Sequence, residues 1–314
     1  MFELTDKDSV ASDFTAVALG VFDGIHRGHQ EVIKCAVSFK DKGLSPAVST
    51  FKTNTITTKG NGKIDMLISD ELKAEKLEEL GVEYLYSPQF SDIKELTAEM
   101  FIKKVLVEKL NARVAVCGEN FRFGKGAFAG SNDLKSLCKK YDIEVVVVPF
   151  TTFNGQPISS TEIRRLIKEG SIDIANYLLG YDFHFRIEVV HGNAIGKTLD
   201  FPTINQKFKS SHVVPRFGVY ASKTKIGDKL YPSVTNVGIK PTIGGESSPL
   251  AETYIIDYSG DLYGKMITVY LNKFIRPEQK FSGLADLKEH LAIDLKKAKD
   301  FLYFDNTKGG YYNE

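Results

Sequence analysis

Five short apolar runs, Ala16–Phe22, Pro46–Phe51, Val82–Tyr86, Arg113–Cys117 and Ile143–Val148, recur through the first half of the chain with helix-length segments between them. The intervening segments Gly28–Phe39, Asp70–Leu80, Thr97–Leu110 and Asn132–Tyr141 mix polar and apolar residues as half-buried helices do. Runs without polar alternation suit strands covered on both faces, and strands that alternate with helices are joined by crossovers. The pattern predicts a doubly wound α/β domain with a parallel sheet, whose ligands bind at the carboxyl ends of the strands.

The pattern then changes. Residues 158–180 read as two short helices, the first capped by Ser159-Ser160-Thr161 and stopped near Gly170, the second ending at Gly180. Beyond Tyr181 come short strands at Phe183–Val190, Gly218–Ser222, Pro232–Val237, Glu252–Asp257 and Met266–Phe274, with Gly and Pro between them. These predict a small antiparallel β-barrel or sandwich, closed by an amphipathic terminal helix at Gly283–Tyr303. The expected domains are therefore 1–182 and 183–314, a division that a chain of 314 residues accommodates comfortably.

A formal net charge of +1 and 42% hydrophobic residues give no global pull toward nucleic acid or anionic membrane, so anion binding has to be local. No stretch approaches the roughly 18 to 20 apolar residues of a membrane span, and no leader is evident, so a cytoplasmic protein is expected. Cys35, Cys117 and Cys138 are scattered without metal-ligand spacing and read as free thiols.

The first candidate site lies in Leu19–Gln30, LGVFDGIHRGHQ. Gly20 and Phe22 end the strand, Asp23-Gly24 reads as the turn from strand to helix, and His26 and His29 sit at the helix mouth. Unpaired backbone N–H groups and the positive dipole end favour phosphate there, and two imidazoles add hydrogen bonds to charge that develops in phosphoryl or nucleotidyl transfer. Residues 118–126, GENFRFGKG, again follow a strand: Phe121 and Phe123 could pack on an aromatic ring, Arg122 and Lys125 could meet phosphate. A third segment, Ser159-Ser160-Thr161-Glu162-Ile163-Arg164-Arg165, places hydroxyls and an arginine at another helix start.

Together the FDGxHxGH, GxNFxFG and SSTxxR strings resemble those of the prokaryotic bifunctional riboflavin kinase/FAD synthetases, and the likeness covers nearly the whole chain. It implies an FMN adenylyltransferase site in the first domain, with Asp23, His26, His29, Asn120, Ser160, Thr161 and Arg164 at matching positions. The implied reaction is attack of an FMN phosphate on the α-phosphorus of ATP, giving FAD and pyrophosphate; it needs alignment and charge neutralisation rather than a strong base.

In the second domain residues 191–205, HGNAIGKTLDFPTIN, resemble the riboflavin kinase signature HGxxxGRxLGFPTAN. Gly192, Gly196, Lys197 and Pro202 belong to this phosphate loop, and the resemblance assigns Thr203 and Asn205 to Mg²⁺ and ATP. Residues 251–257, AETYIID, resemble the strand whose Glu is the base for riboflavin phosphorylation, which makes Glu252 that base. Asn236, within NVGIKPT, and Arg276, within FIRPE, match segments that flank flavin and nucleotide.

The chain departs from the family at several positions. Phe51-Lys52-Thr53-Asn54-Thr55 stands where Phe-x-Pro-His-Pro is usual, Lys197 where Arg is usual, Asp200 where Gly is usual and Tyr254 where His is usual. The leading expectation is a bifunctional enzyme acting on riboflavin, FMN and ATP with Mg²⁺. The alternatives are a riboflavin kinase with a degenerate first domain, or a non-catalytic flavin-binding regulator.

Overall fold

The computed structural model describes residues 1–5, 9–52, 65–192, 201–239 and 248–307. The chain divides into two compact units, Met1–Ser160 and Thr161–Glu314.

In the first unit β1 (Phe2–Glu3), β2 (Thr15–Leu19), β3 (Ser45–Ser49), β4 (Tyr84–Tyr86), β5 (Ala112–Gly118) and β6 (Glu144–Val148) form a parallel sheet in the order β1-β4-β3-β2-β5-β6. Every residue of β2 is buried. Its alternate side chains feed two cores: Val17 and Leu19 pack with Phe101, Leu106 and Leu134 on one face, while Ala16 and Ala18 pack with Ile33, Ala36 and Leu77 on the other. Helices α1 (Arg27–Ser38) and α2 (Asp70–Glu79) cover the second face. The first is covered by α3 (Phe90–Ile93), α4 (Ala98–Phe101), its π-helical continuation Ile102–Lys109 and α5 (Ser131–Cys138). The sheet is thus doubly wound, as the alternating runs predict. The two-residue edge strand β1 and the hairpin β7 (Thr152–Phe153) and β8 (Gln156–Pro157) are too short to leave a pattern in the sequence. Cys117 and Cys138 are buried free thiols, and burial pushes them up to about 11 and about 12.

From Ser160, α6 (Ser160–Glu169) and α7 (Ile172–Leu179) lead into the strands of the second unit. There β9 (His184–Val190), β10 (Thr203–Lys207), β11 (Gly218–Ile226), β12 (Lys229–Ile239), β13 (Pro249–Ile255) and β14 (Met266–Arg276) close an antiparallel barrel in the order β10-β13-β12-β11-β14-β9. Of the two architectures expected, the barrel is the one formed. β10 falls inside the PTIN segment, where its strand character is hidden by the motif.

The period of two separates the barrel's faces. Inward side chains include a hydroxyl chain in which Thr235 bonds Ser222 at 2.8 Å and Thr253 at 2.9 Å. On the outer face Val219, Ala221 and Val234 pack against Ala298 and Leu302 of α8 (Leu284–Thr307). Arg276 locks the same helix to the end of β14: its Nε lies 3.0 Å and its Nη2 2.7 Å from the carboxylate of Asp294, which is 1% exposed.

Removing one partner of such a pair strands the other. Asp294→Ala is expected to lower stability by roughly 3 kcal/mol, measured by urea unfolding of the second unit's signal within the full chain; a change within ~0.5 kcal/mol would show that the pair does not hold α8 in place.

Candidate functional site

In the sheet order, β2 leads through β3 and β4 to one side while β5 and β6 lie on the other, so connections diverge between β2 and β5. Such a switch point leaves a crevice at the carboxyl edge. Leu19 is in register with Cys117, which puts the FDGIHRGH loop after β2 and the NFRFG loop after β5 side by side at that edge.

The first loop is tightly wound. Phe22 and Ile25 take positive φ of 51° and 36°, and Gly24 between them 78°. A β-carbon on Gly20 would come within 2.9 Å of the Phe22 ring, so glycine there is required by the ring's seat. Asp23, 2% exposed, spends its carboxylate on the backbone N–H of Leu67 at 3.0 Å, and the Ser160 hydroxyl donates to its carbonyl at 2.9 Å. Asp23 therefore shapes the loop. His26 caps α1, its Nδ1 accepting from His29 N–H at 3.3 Å. The two imidazoles stack with centroids 3.6 Å apart, and Phe22 meets His29 edge-on at 5.4 Å. His29 Nδ1 is buried without a hydrogen-bond partner among the described residues. Burial, His26 and Lys73 hold the His29 imidazole well below the ordinary histidine range.

In the second loop Asn120 and Arg122 are exposed and Phe121 is half-buried. Phe123 belongs to the core beside Phe101, and its ring supports Phe121, stacked on it at 5.6 Å. Only Phe121 of the pair keeps a surface for a ligand. At the start of α6, Thr161 is exposed and Arg164 half-buried on its first turn; Arg165 is held by Glu162 and Glu169 of its own helix.

Lys73 is a residue of this site that the motifs do not contain. Its ammonium lies 3.0 Å from the Phe51 carbonyl, just past β3. The signal was available as spacing: Leu72, Lys73 and Leu77 form the buried stripe of α2, where a lysine is out of place.

The second cluster lies on the barrel. In register, Asn205 of β10 faces Glu252 of β13, which faces Asn236 of β12; the row continues through Val219 to Arg276. Val219 and Arg276 meet α8, so Asn205, Glu252 and Asn236 stand on this same outer face. Thr203 and Tyr254 are opposed one step along, again on that face. Tyr254, at the departing position, meets Phe201 edge-on at 5.2 Å. Pro202 is exposed between Phe201 and β10. Arg276 does not offer its charge to a ligand, because its guanidinium is taken by Asp294 and the Pro277 carbonyl.

Asn205 is 5% exposed, and its Oδ1 has no hydrogen-bond partner among the described residues. A β-carbon on Gly192 would fall 2.4 Å from its Nδ2, so the amide rests against bare backbone. Among the described residues no three His, Cys, Asp or Glu side chains gather as a metal site. An unpaired amide oxygen with a threonine two residues away suits Mg²⁺, which takes few protein oxygens and completes its shell with phosphates and water. Gly196, Lys197 and Asp200, and Thr53–Thr55 of the first unit, lie outside the described residues.

Residues 9–162 match the family model described as FAD synthetase, and residues 179–302 that described as riboflavin kinase. The chain is 34% identical over 302 residues to a protein of Bacillus subtilis (strain 168), covering 94% of each, and 33% identical over 292 residues to one of Escherichia coli (strain K12), covering 91% of this chain and 92% of the relative. Both are described as bifunctional riboflavin kinase/FMN adenylyltransferase. The fold also matches a crystal structure of a Streptococcus pneumoniae protein described as a macrolide-efflux protein, with TM-score 0.83 and 30% identity over 95% of this chain and 98% of that one.

The stacked imidazoles lead to a direct check. Because desolvation and positive neighbours disfavour the charged ring, His29 is expected to stay neutral through the pH range in which a free histidine protonates, near ~6.5. In ¹³C-histidine NMR, assigned by loss of the signal in His29→Asn, its midpoint falls well below that value. A midpoint at or above it would mean that the site holds an imidazolium.

Proposed function

The chain belongs to the bifunctional riboflavin kinase/FMN adenylyltransferase family, and on that premise we propose how its two sites perform the two reactions. It phosphorylates riboflavin to FMN with ATP and adenylylates FMN to FAD with release of pyrophosphate.

Riboflavin phosphorylation belongs to the barrel. The observation that carries this assignment is the row Asn205–Glu252–Asn236, which sets a carboxylate between two amides on one face. A ribityl hydroxyl is a poor nucleophile, so Glu252 takes its proton as the oxygen bonds to the γ-phosphorus and the bond to the β-phosphate oxygen breaks, releasing ADP. Thr203 and Asn205 would hold Mg²⁺, and Gly192 leaves room for the Asn205 amide to keep its place. The ion supplies charge neutralisation on the transferring phosphate.

Adenylylation belongs to the crevice of the parallel sheet. The FMN phosphate is already an anion, so it attacks the α-phosphorus without a base, and the bond to the bridging oxygen breaks to free pyrophosphate. His26 and His29 act there as hydrogen-bonding groups beside the N-terminus of α1, with His29 held neutral by its burial. Asn120, Phe121 and Ser160 orient nucleotide and flavin, and Gly20, Phe22 and Gly24 hold the loop's form. Among the described residues no helix is long and apolar enough to cross a membrane. ATP-dependent turnover fits a cytoplasmic enzyme.

Purified, flavin-free protein given riboflavin, excess ATP and Mg²⁺ is expected to form FMN and then FAD, followed by chromatography; FMN that is never converted, even when supplied directly, would leave kinase activity alone, and no product would support the regulator. Glu252→Gln should cut FMN formation roughly 10²- to 10⁴-fold while riboflavin binding, read by flavin fluorescence, and FAD formation from supplied FMN persist; full turnover would remove Glu252 from the reaction. Gly192→Ala, whose β-carbon meets the Asn205 amide, is expected to raise the Mg²⁺ concentration needed for FMN formation and to leave FAD formation unchanged.

A further inference from the structure

Lys73 stands on the inner face of α2 between Leu72 and Leu77, with 2% of its surface exposed. An apolar side chain would fill that position without the desolvation cost of an ammonium, so the choice of lysine calls for a reason in its surroundings. Two hydrogen bonds tie those surroundings to the histidine loop and a third ties Lys73 to the end of β3. The Thr50 hydroxyl donates to the Val21 carbonyl at 2.7 Å, Leu67 N–H to the Asp23 carboxylate at 3.0 Å, and the Lys73 ammonium to the Phe51 carbonyl at 3.0 Å. The end of β3, the segment entering α2 and the loop that carries His26 and His29 are thereby stitched together at the carboxyl edge of the sheet.

The charges around this stitch oppose one another. Burial pulls the Lys73 ammonium down, while Asp70, whose carboxylate is 3.9 Å away, and Asp23 support its charge. Across the loop the imidazoles of His26 and His29, stacked at 3.6 Å, cannot both carry a proton without strong repulsion. Yet the reaction at this edge ends with pyrophosphate leaving, and its negative charge has to be met. A fixed cation in a poorly solvated place meets it better than a hydrated surface lysine does.

We propose that Lys73 is a positioning residue of the adenylylation site: its ammonium pins the Phe51 carbonyl at the end of the segment that Thr50 ties to the histidine loop, and sets a positive group beside that loop. Lys73 acts through the loop and through its field on His29, alongside His26, Asp23 and Asp70. The inference rests on the first unit being the adenylylating one.

The test uses the full chain and three readouts: FAD formed from FMN and Mg·ATP, FMN formed from riboflavin, and the NMR midpoint of His29. Lys73→Gln keeps a donor for the Phe51 carbonyl but carries no charge. It is expected to lose FAD formation by about tenfold or more, to raise the His29 midpoint toward the ordinary histidine value, and to leave FMN formation unchanged. Lys73→Arg, which keeps the charge, should recover most of both properties. Wild-type FAD formation in Lys73→Gln would overturn the inference, as would equal losses in both variants with an unmoved His29 midpoint, which would reduce Lys73 to packing. Should both variants unfold, Lys73→Met, which fills the same apolar position without a charge or a donor, is expected to lose FAD formation and raise the His29 midpoint, and wild-type FAD formation there overturns the inference as well. Wild-type protein that makes no FAD would refute the assignment of the first unit instead, while the His29 titration would still report on Lys73.

Discussion

The burial of β2 on both faces is the constraint from which the first unit follows. A strand with no solvent-facing side offers no polar group to a ligand along its length, and in Thr15–Leu19 the one polar side chain, Thr15, is buried and donates to the Leu110 carbonyl. Polar groups have to leave from its carboxyl end, and the reversal of strand order between β2 and β5 opens the space into which they leave. The histidine loop, the NFRFG loop and the Phe51 carbonyl all occupy that one edge because each follows a strand of the same parallel sheet. Helix α1 then starts where the loop ends, so its N-terminus and positive dipole end face the same space.

The barrel solves the same problem differently. A closed antiparallel sheet has two faces along its whole length, and the period of two assigns every second residue to each. Its interior takes the hydroxyl chain of Ser222, Thr235 and Thr253, whose members satisfy one another. The outer face is free for Asn205, Glu252 and Asn236 in one row, with α8 covering the part of that row where Val219 and Arg276 lie. The Arg276–Asp294 pair belongs to this arrangement: it fixes the covered part and leaves the uncovered part to chemistry.

These two solutions leave unequal traces in sequence. The alternation of buried runs with helices is a local signal, so the α/β unit and the place of its histidine loop were legible, as was the shift to short strands beyond Tyr181. Thr203 and Asn205, two residues apart, could be read as sharing a face, but their opposition to Glu252 depends on pairing across nearly fifty residues and no local pattern encodes it. The same holds for Arg276, whose conserved-looking setting suggested a ligand contact but whose partner is eighteen residues on, on a helix. Phe123 was read as a possible ligand platform because alternation alone does not say which of two aromatics turns inward. Lys73 was missed for a different reason: it lies in no motif, and only its place on an apolar stripe marks it.

The strain in the histidine loop shows why such unmarked residues matter. Phe22 and Ile25 sit in the left-handed region, where an L-residue costs roughly 1–2 kcal/mol. Within Val21–His26 the Ile25 N–H bonds the Phe22 carbonyl at 3.3 Å. Further support comes from outside: Leu67 on Asp23, Ser160 on the Asp23 carbonyl, Thr50 on the Val21 carbonyl and the bare backbone of Gly20 under the Phe22 ring. Each of these anchors contributes about 1 kcal/mol or somewhat more where a carboxylate accepts, so together they are of the size needed to hold the strained form. The stacked geometry of the histidine pair therefore draws on the end of β3, the entry to α2 and Ser160, and the histidine loop is best regarded as the joint product of those anchors and its own sequence.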